Sequence, residues 1–157
     1  MNKIYEEKQR SSMMAIIIFL VIAFVFGTTL FANYKEYGVA SIREADQMTF
    51  LIMAVLFIFL FVFFYNLKIT LTEEQLEFGF GPFKKKIAKG EIKTISIKQY
   101  EFKNYLGYGI RLGRADKSWG YVAGNTSGVL IDSKKGKFYF TTDNPEQIVD
   151  LIKQHLM

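Results

Sequence analysis

The 157-residue chain contains no cysteine, one histidine, one tryptophan and two prolines. Without cysteine, disulfides, thiolate metal sites and cysteine nucleophiles are excluded. His155 is the lone histidine, and one histidine without cysteine partners does not supply the usual metal ligand set. Carboxylates lie on the surface of a folded protein by default, so their number alone indicates no active site. We therefore predict no catalytic residue, no cofactor and no metal, and a protein that is not an enzyme.

Charge is missing from two long stretches of the chain. Residues 50–65 read FLIMAVLFIFLFVFFY and contain no charge, proline or glycine. With their flanks (48–66) they reach the length of about 20 residues that a helix needs to cross a bilayer core of about 30 Å. Residues 13–32 form a second apolar run, interrupted only by a glycine and two threonines. Both runs are predicted membrane spans, and their lack of ionisable side chains argues against a transport pathway.

The first apolar run has an alternative interpretation as a cleaved signal peptide. The polar segment before it contains Glu6 and Glu7, and residues 30–32 make a poor cleavage site, so a retained helix is favoured. The connector between the runs contains only Lys35 and Arg43, against seven lysines and arginines near the other ends of the two helices. Because cytoplasmic flanks carry the excess of these residues, we predict a multi-pass protein of the cell membrane with both termini cytoplasmic.

From Leu67 onward the hydrophobic period changes to two. Short alternating segments separated by polar turns predict about seven or eight antiparallel strands in a soluble, mainly-β domain. A different pattern ends the chain: Asn144 and Pro145 mark a helix start, and a helix over 145–156 follows. Its apolar residues fall on one face, which we expect to pack against the strands; they are Ile148, Leu151, Ile152 and Leu156.

The order of these elements resembles that of bacterial pleckstrin-homology-like (PH-like) membrane proteins. The likeness is carried by ITLTEEQLEFGFGPFKKKIAKGEIKTISI at 69–97, GYGIR at 107–111, GVLI at 128–131, GKFYFTT at 136–142 and NPEQIVDLI at 144–152. It implies a helical hairpin over 1–66 and, over 67–157, a bent antiparallel barrel of about seven strands closed by the C-terminal helix. Lipid-reading eukaryotic members place basic residues in the first hairpin turn, whereas this chain has Glu73-Glu74-Gln75 there.

Two sets of residues are candidate binding surfaces. The first is a basic cluster that we expect to contact the membrane surface, because lysines next to a span are attracted to anionic lipids; its members are Phe83, Lys84, Lys85, Lys86 and Lys89. Protection of an exposed strand edge by lysine is the alternative for this cluster. The second set is a candidate partner surface formed by Arg111, Arg114, Trp119 and Tyr121. No single-strand-binding motif accompanies it, so no nucleic acid is expected.

Residues 67–157 contain 15 Lys and Arg against 10 Asp and Glu, and this region accounts for the net charge of +5. Beside a membrane, such a balance favours anionic headgroups as the partner over nucleic acid. We expect a membrane-anchored binding or scaffolding module that acts at the inner face of the membrane through lipid or protein contacts. The partners would be the bilayer, anionic headgroups, another membrane protein or a second copy. The alternative is an accessory subunit of a larger membrane complex, with the β-domain as its docking face.

Overall fold

The structure is a computed structural model that describes residues 3–37, 44–124 and 127–157. It contains four helices and nine strands within these ranges. In chain order they are β1 (Lys3–Arg10), α1 (Ser12–Tyr37), α2 (Glu44–Phe64), β2 (Asn66–Thr72), β3 (Gln75–Phe80), β4 (Phe83–Ala88), β5 (Ile92–Gln99), α3 (Phe102–Tyr105), β6 (Gly109–Leu112), β7 (Trp119–Val122), β8 (Ser127–Ser133), β9 (Gly136–Thr141) and α4 (Pro145–Leu156).

The two apolar runs form the neighbouring helices α1 and α2. In the part of the chain that the structure describes, one helix, Ala15–Glu36, is long and apolar enough to cross a membrane or to act as a signal helix. The apolar part of α2, Met48–Phe64, is shorter. At 1.5 Å per residue it extends for about 26 Å, which falls short of a bilayer core of about 30 Å. The described residues therefore show one candidate membrane span and do not show the predicted multi-pass arrangement.

An N-terminal strand that the sequence did not predict opens the first sheet. This sheet has the order β1-β2-β3-β4, and all its neighbours are antiparallel. Residues 3–10, expected as a polar tail of the helical hairpin, pair with residues 66–72 on the far side of both helices. The Ser11 N–H also donates to the Tyr65 carbonyl at 2.8 Å, so α1 begins beside the point where α2 ends.

The second sheet has the order β5-β8-β9-β7-β6. Its pairs are antiparallel except for β7 and β9, which run parallel. Sheets of four and five strands remain separate among the described residues, so the expected closed barrel of about seven strands is wrong. The chain leaves the first sheet after β4 through a turn at Gly90, whose φ of +76° suits glycine, and β5 then pairs with β8 instead of β4.

The core lies between the two sheets, and α4 covers it. Ile148, Ile152 and Leu156 are fully buried, which confirms the predicted C-terminal helix and its apolar face. Leu151, expected to be buried with them, is only partly buried at the edge of the core. Pro145 occupies the first turn, where its missing N–H would have had no partner within the helix.

Candidate functional site

An open groove of about 540 Å³ brings the two predicted surfaces together. One wall consists of Pro82, Phe83, Lys84 and Lys85, from β4 and the turn before it. The other wall contains Ile110, Trp119, Tyr121, Lys135 and Phe138, from β6, β7, β9 and the turn before β9. We call this feature the basic groove. Its lining includes three lysines and no acid, and Phe83 and Trp119 are each half exposed.

The basic groove begins beside the end of α2. The Phe83 ring stacks on that of Phe64, with centroids 5.6 Å apart and an angle of 17° between the planes. A glycine at position 81 allows this approach, since a Cβ there would lie 2.9 Å from the Phe63 ring, and its φ of +45° suits glycine. β4 then runs away from the helices, so successive residues from Phe83 onward lie farther from them.

The three consecutive lysines of β4 have different surroundings. Lys84 and Lys86 point to one face of the strand and bind the same carboxylate, Glu77, at 2.9 and 3.2 Å. The hydrogen bond from Lys84 is the main cause that lowers the pKa of Glu77, although burial works against it. Lys85 points to the opposite face, where its Nζ lies 4.6 Å above the centre of the Phe138 ring. Within the described residues, Lys85 is therefore the member of the trio that has no ion pair.

Glu77 is a residue that the sequence analysis missed. Cross-strand register places it directly opposite Lys86, with Lys85 opposite Phe78. Its acid side chain partly neutralises the cluster that the sequence indicated as fully basic. A hairpin register counted from the Gly81-Pro82 turn would have found this pairing, because residues at equal distances from a tight turn face each other.

Lys89, also predicted at the membrane surface, lies at the other end of β4. Its N–H donates to the Glu74 carbonyl at 2.8 Å, which places it beside the acidic turn between β2 and β3. Five residue steps separate it from Lys84, or about 16 Å along an extended strand. Lys89 is exposed there, but it does not line the basic groove.

The predicted partner surface is only partly exposed. Trp119 and the two arginines, Arg111 and Arg114, are exposed. Tyr121 is buried, with 8% of its surface exposed. Its ring makes an edge-to-face contact with the ring of Phe78, with the centroids 5.2 Å apart. Burial raises the pKa of Tyr121. Tyr121 therefore forms the floor of the basic groove and belongs to the core.

The glycine- and tyrosine-rich segment, whose role the sequence left open, folds over the outer face of the second sheet. Tyr105 stacks on Tyr139 at 4.8 Å, and Tyr100 stacks on Tyr105 and Tyr108 at 6.2 and 5.9 Å. Gly120 lies under this stack, since a Cβ there would approach the Tyr105 ring to 2.6 Å. The result is a second small core, so Tyr105 and Tyr139 are not available to stack a nucleobase.

Asp116 holds this segment in place through a dense set of hydrogen bonds. It accepts from Lys98 Nζ at 2.9 Å, Ser118 Oγ at 2.7 Å and Asn104 Nδ2 at 3.2 Å. Burial acts to raise the pKa of Asp116, but the hydrogen bonds from Lys98 and Ser118 outweigh it and hold the pKa well below its usual range. Because the carboxylate is fully occupied by these internal partners, the arrangement indicates a structural role.

A smaller hollow of about 240 Å³ lies between the helices and β6. Ile18, Leu60 and Phe64 form its apolar wall, and residues 108–111 form the wall on the domain side. Ile110 lines both this hollow and the basic groove, so the two features adjoin. A third groove of about 470 Å³ separates α1 from α2 nearer the connector and is lined by apolar residues within 22–26 and 50–57.

The described ranges contain no group of three or more His, Asp or Glu side chains arranged to hold a metal ion. His155 lies partly buried in the last turn of α4. Comparison with known proteins adds no identity: no protein-family model, curated protein or solved structure matches this chain. The features of the described residues that bear on function are the grooves and their position beside the apolar helices.

Proposed function

We propose that this protein is a membrane-anchored binding module whose β-domain rests on the inner leaflet and binds anionic lipid headgroups in the basic groove. The observation that carries the proposal is the stacking of Phe83 on Phe64 at 5.6 Å. It puts the opening of the groove, with Lys84 and Lys85, at the level where the apolar helices begin. Lysines at a leaflet surface contribute about 1 kcal/mol each to the attraction. The module has no catalytic role in this proposal.

The proposal places both α1 and α2 in the bilayer as a hairpin. Pairing of β1 with β2 supports it, because the chain leaves the domain at Ser11 and returns at Tyr65, where the two backbones are hydrogen-bonded. The same pairing supports a retained first helix, since cleavage after α1 would remove a strand of the sheet. An α2 of apolar length near 26 Å is accommodated by local thinning of the bilayer at modest cost.

Orientation follows from the lysine and arginine count, with both termini cytoplasmic. The chain lacks cysteine, so single cysteines placed at Lys35 and Lys134 report on the two sides; both lysines are exposed. We expect an impermeant thiol reagent to label Lys35→Cys on intact cells and to spare Lys134→Cys. The reverse pattern would invert the orientation, and equal labelling would argue against a hairpin across the bilayer.

The PH-like relationship belongs to this proposal. An antiparallel first sheet, a second sheet and a C-terminal helix over the core support it. The departures are the separate sheets and the β6–β7 hairpin, which joins β9 through a parallel pair. A crystal structure in which the strands of the two sheets followed a different order from the one described above would contradict the PH-like assignment.

The lone tryptophan gives a direct test, because Trp119 lies in the basic groove. The full chain is reconstituted in nanodiscs of phosphatidylcholine, with or without phosphatidylglycerol. We expect phosphatidylglycerol to shield Trp119 from quenching by the neutral quencher acrylamide, and added salt to reverse this as the Debye length falls below about 8 Å. The double change Lys84→Gln with Lys85→Gln should abolish the shielding. Lys89→Gln is the matched control and should keep it.

Equal shielding in the wild type and the double variant would reject headgroup binding in the groove. If Lys89→Gln lost as much shielding as the double variant, the effect would come from overall charge, and headgroup binding in the groove would again be rejected. A circular dichroism spectrum of each variant establishes that the domain is folded.

A second candidate function is favoured by one observation, the apolar groove of about 470 Å³ between α1 and α2. In an accessory subunit, this groove would receive a transmembrane helix of the larger complex. Ala54→Phe would fill it. We expect this change to release a membrane protein that co-purifies with the wild type in mild detergent and is identified by mass spectrometry. Undiminished co-purification would reject this function.

A further inference from the structure

We propose that the hollow between the helices and β6 holds a single anionic phospholipid, with its phosphate on Arg111 and the start of an acyl chain against Ile18 and Leu60. This inference rests on the membrane placement proposed above. This lipid site is separate from the basic groove. The lipid in the hollow is expected to stay bound to the protein, whereas the headgroups in the basic groove exchange with the rest of the bilayer.

The position of the hollow along the helices suits one lipid. Ile18 lies six residues after the start of α1, about 9 Å into the helix, and Leu60 lies four residues before the end of α2, about 6 Å in. These side chains therefore stand at the depth of the first acyl carbons if the helices begin at the leaflet surface. The opposite wall is β6 of the domain, which stands at the depth of the headgroups.

Arg111 supplies the charge for this seat. Its Nε donates to the Tyr108 carbonyl at 2.9 Å, which fixes the side chain and leaves its two terminal amino groups for a ligand. In the described ranges no carboxylate pairs with Arg111, whereas Lys84, Lys98 and Lys135 each bind one. A guanidinium presents its N–H groups as a planar fork that matches a phosphate group.

The loop beneath Arg111 is held in shape. Tyr108 stacks on Tyr100 at 5.9 Å, and the Tyr100 hydroxyl donates to the Gly107 carbonyl at 2.9 Å. The carbonyl that positions Arg111 is thus on a braced loop, so little conformational entropy would be lost when a ligand binds.

Both ends of the hollow point to a phospholipid as its occupant. A free phosphate would satisfy Arg111 but leave the apolar wall of Ile18, Leu60 and Phe64 uncovered. A neutral apolar molecule would cover that wall but leave the cation without a counter-charge. A phospholipid with a net negative headgroup satisfies both, and in a bilayer it is present at the right depth.

Native mass spectrometry of the full chain tests the seat. The protein is purified in mild detergent that contains equal amounts of phosphatidylglycerol and phosphatidylcholine. We expect one phosphatidylglycerol per chain, and loss of a charged hydrogen-bonding partner in Arg111→Gln should lower its retention roughly tenfold or more. Arg114→Gln is the matched control, since Arg114 is also exposed, three residues away, but does not line the hollow.

Two further arms separate the possible causes. Leu60→Trp should also expel the lipid by filling the apolar wall, while glycerol 3-phosphate should not displace it, since it lacks an acyl chain. The double variant of Lys84 and Lys85 should keep the lipid even though its groove has lost headgroup binding. A wild type without bound phosphatidylglycerol, equal retention in Arg111→Gln, or displacement by glycerol 3-phosphate would each overturn the proposal.

Discussion

The helix pair and the β-domain contain the same kinds of apolar side chain in opposite environments. Ile58 and Phe59 on α2 are 63% and 54% exposed, whereas Phe78 and Phe80 in the domain are fully buried. Burial of such a side chain contributes about 1.5–3 kcal/mol. The domain therefore obtains its stability from its own core, while the helices have an apolar surface that requires a bilayer or another protein.

The largest expected effect uses one substitution in both regions. Phe78 contacts Tyr121, Phe138 and Phe140 in the core, so Phe78→Ala should cost the domain about 3–5 kcal/mol. Phe59→Ala on α2 should change domain stability by less than about 0.5 kcal/mol. Thermal unfolding in detergent, followed by Trp119 fluorescence, measures the domain alone because that tryptophan is unique. Equal shifts would mean that the helices and the domain unfold as one unit.

A second comparison uses acid. The pKa of Asp116 lies below its usual range because hydrogen bonds from Lys98 and Ser118 outweigh burial. Its stabilising effect is thus complete above the unfolded-state pKa of about 3.9 and is lost as the pH falls through the lower folded-state pKa. Asp116→Asn should cost about 1.5–3 kcal/mol at neutral pH and flatten the acid dependence of stability.

The helices provide the contrast in that acid titration. The described side chains of α1 from Ala15 to Asn33 include no ionisable group. We therefore expect the helical circular dichroism signal in detergent to persist at a pH where the Trp119 signal reports an unfolded domain. Simultaneous loss of both signals would contradict the separation of the two regions.

A smaller effect should follow from adding one methyl group in each region. A Cβ at Gly120 would lie 2.6 Å from the Tyr105 ring, so Gly120→Ala should destabilise the domain by about 1–3 kcal/mol. Apart from the neighbouring backbone of α1 itself, no heavy atom lies within 4 Å of the corresponding position at Gly27. Gly27→Ala should therefore leave the Trp119 unfolding curve unchanged. A neutral Gly120→Ala would show that the tyrosine stack can move aside.

Local patterns in the sequence determined several elements of this protein. The apolar run after Met13 specifies α1, because its side chains are apolar on every face. Pro145 and the spacing of Ile148 and Ile152 specify α4, since capping and a 3.6-residue period act between near neighbours. Alternation of apolar and polar residues likewise located most of the strands.

Only the tertiary structure decided which of these elements meet. Residues 3–10 are mostly polar and gave no strand signal, and their partner, β2, lies beyond both helices. Gln9 and Glu7 then bond to Thr141 and Thr142, more than 130 residues away. The separation of the sheets and the parallel β7–β9 pair are also long-range choices.

The candidate sites divide in the same way. Sequence alone indicated a basic strand at 84–86 and, as a separate candidate partner surface, a set of residues that includes Trp119. Register and packing decided three features that the sequence did not indicate. Lys85 lies over the Phe138 ring, Glu77 pairs with Lys84, and the hollow lined by Arg111 adjoins the basic groove. The physical reason is that propensity and periodicity are properties of neighbouring residues, whereas pairing and grooves depend on contacts between residues that are far apart in the chain.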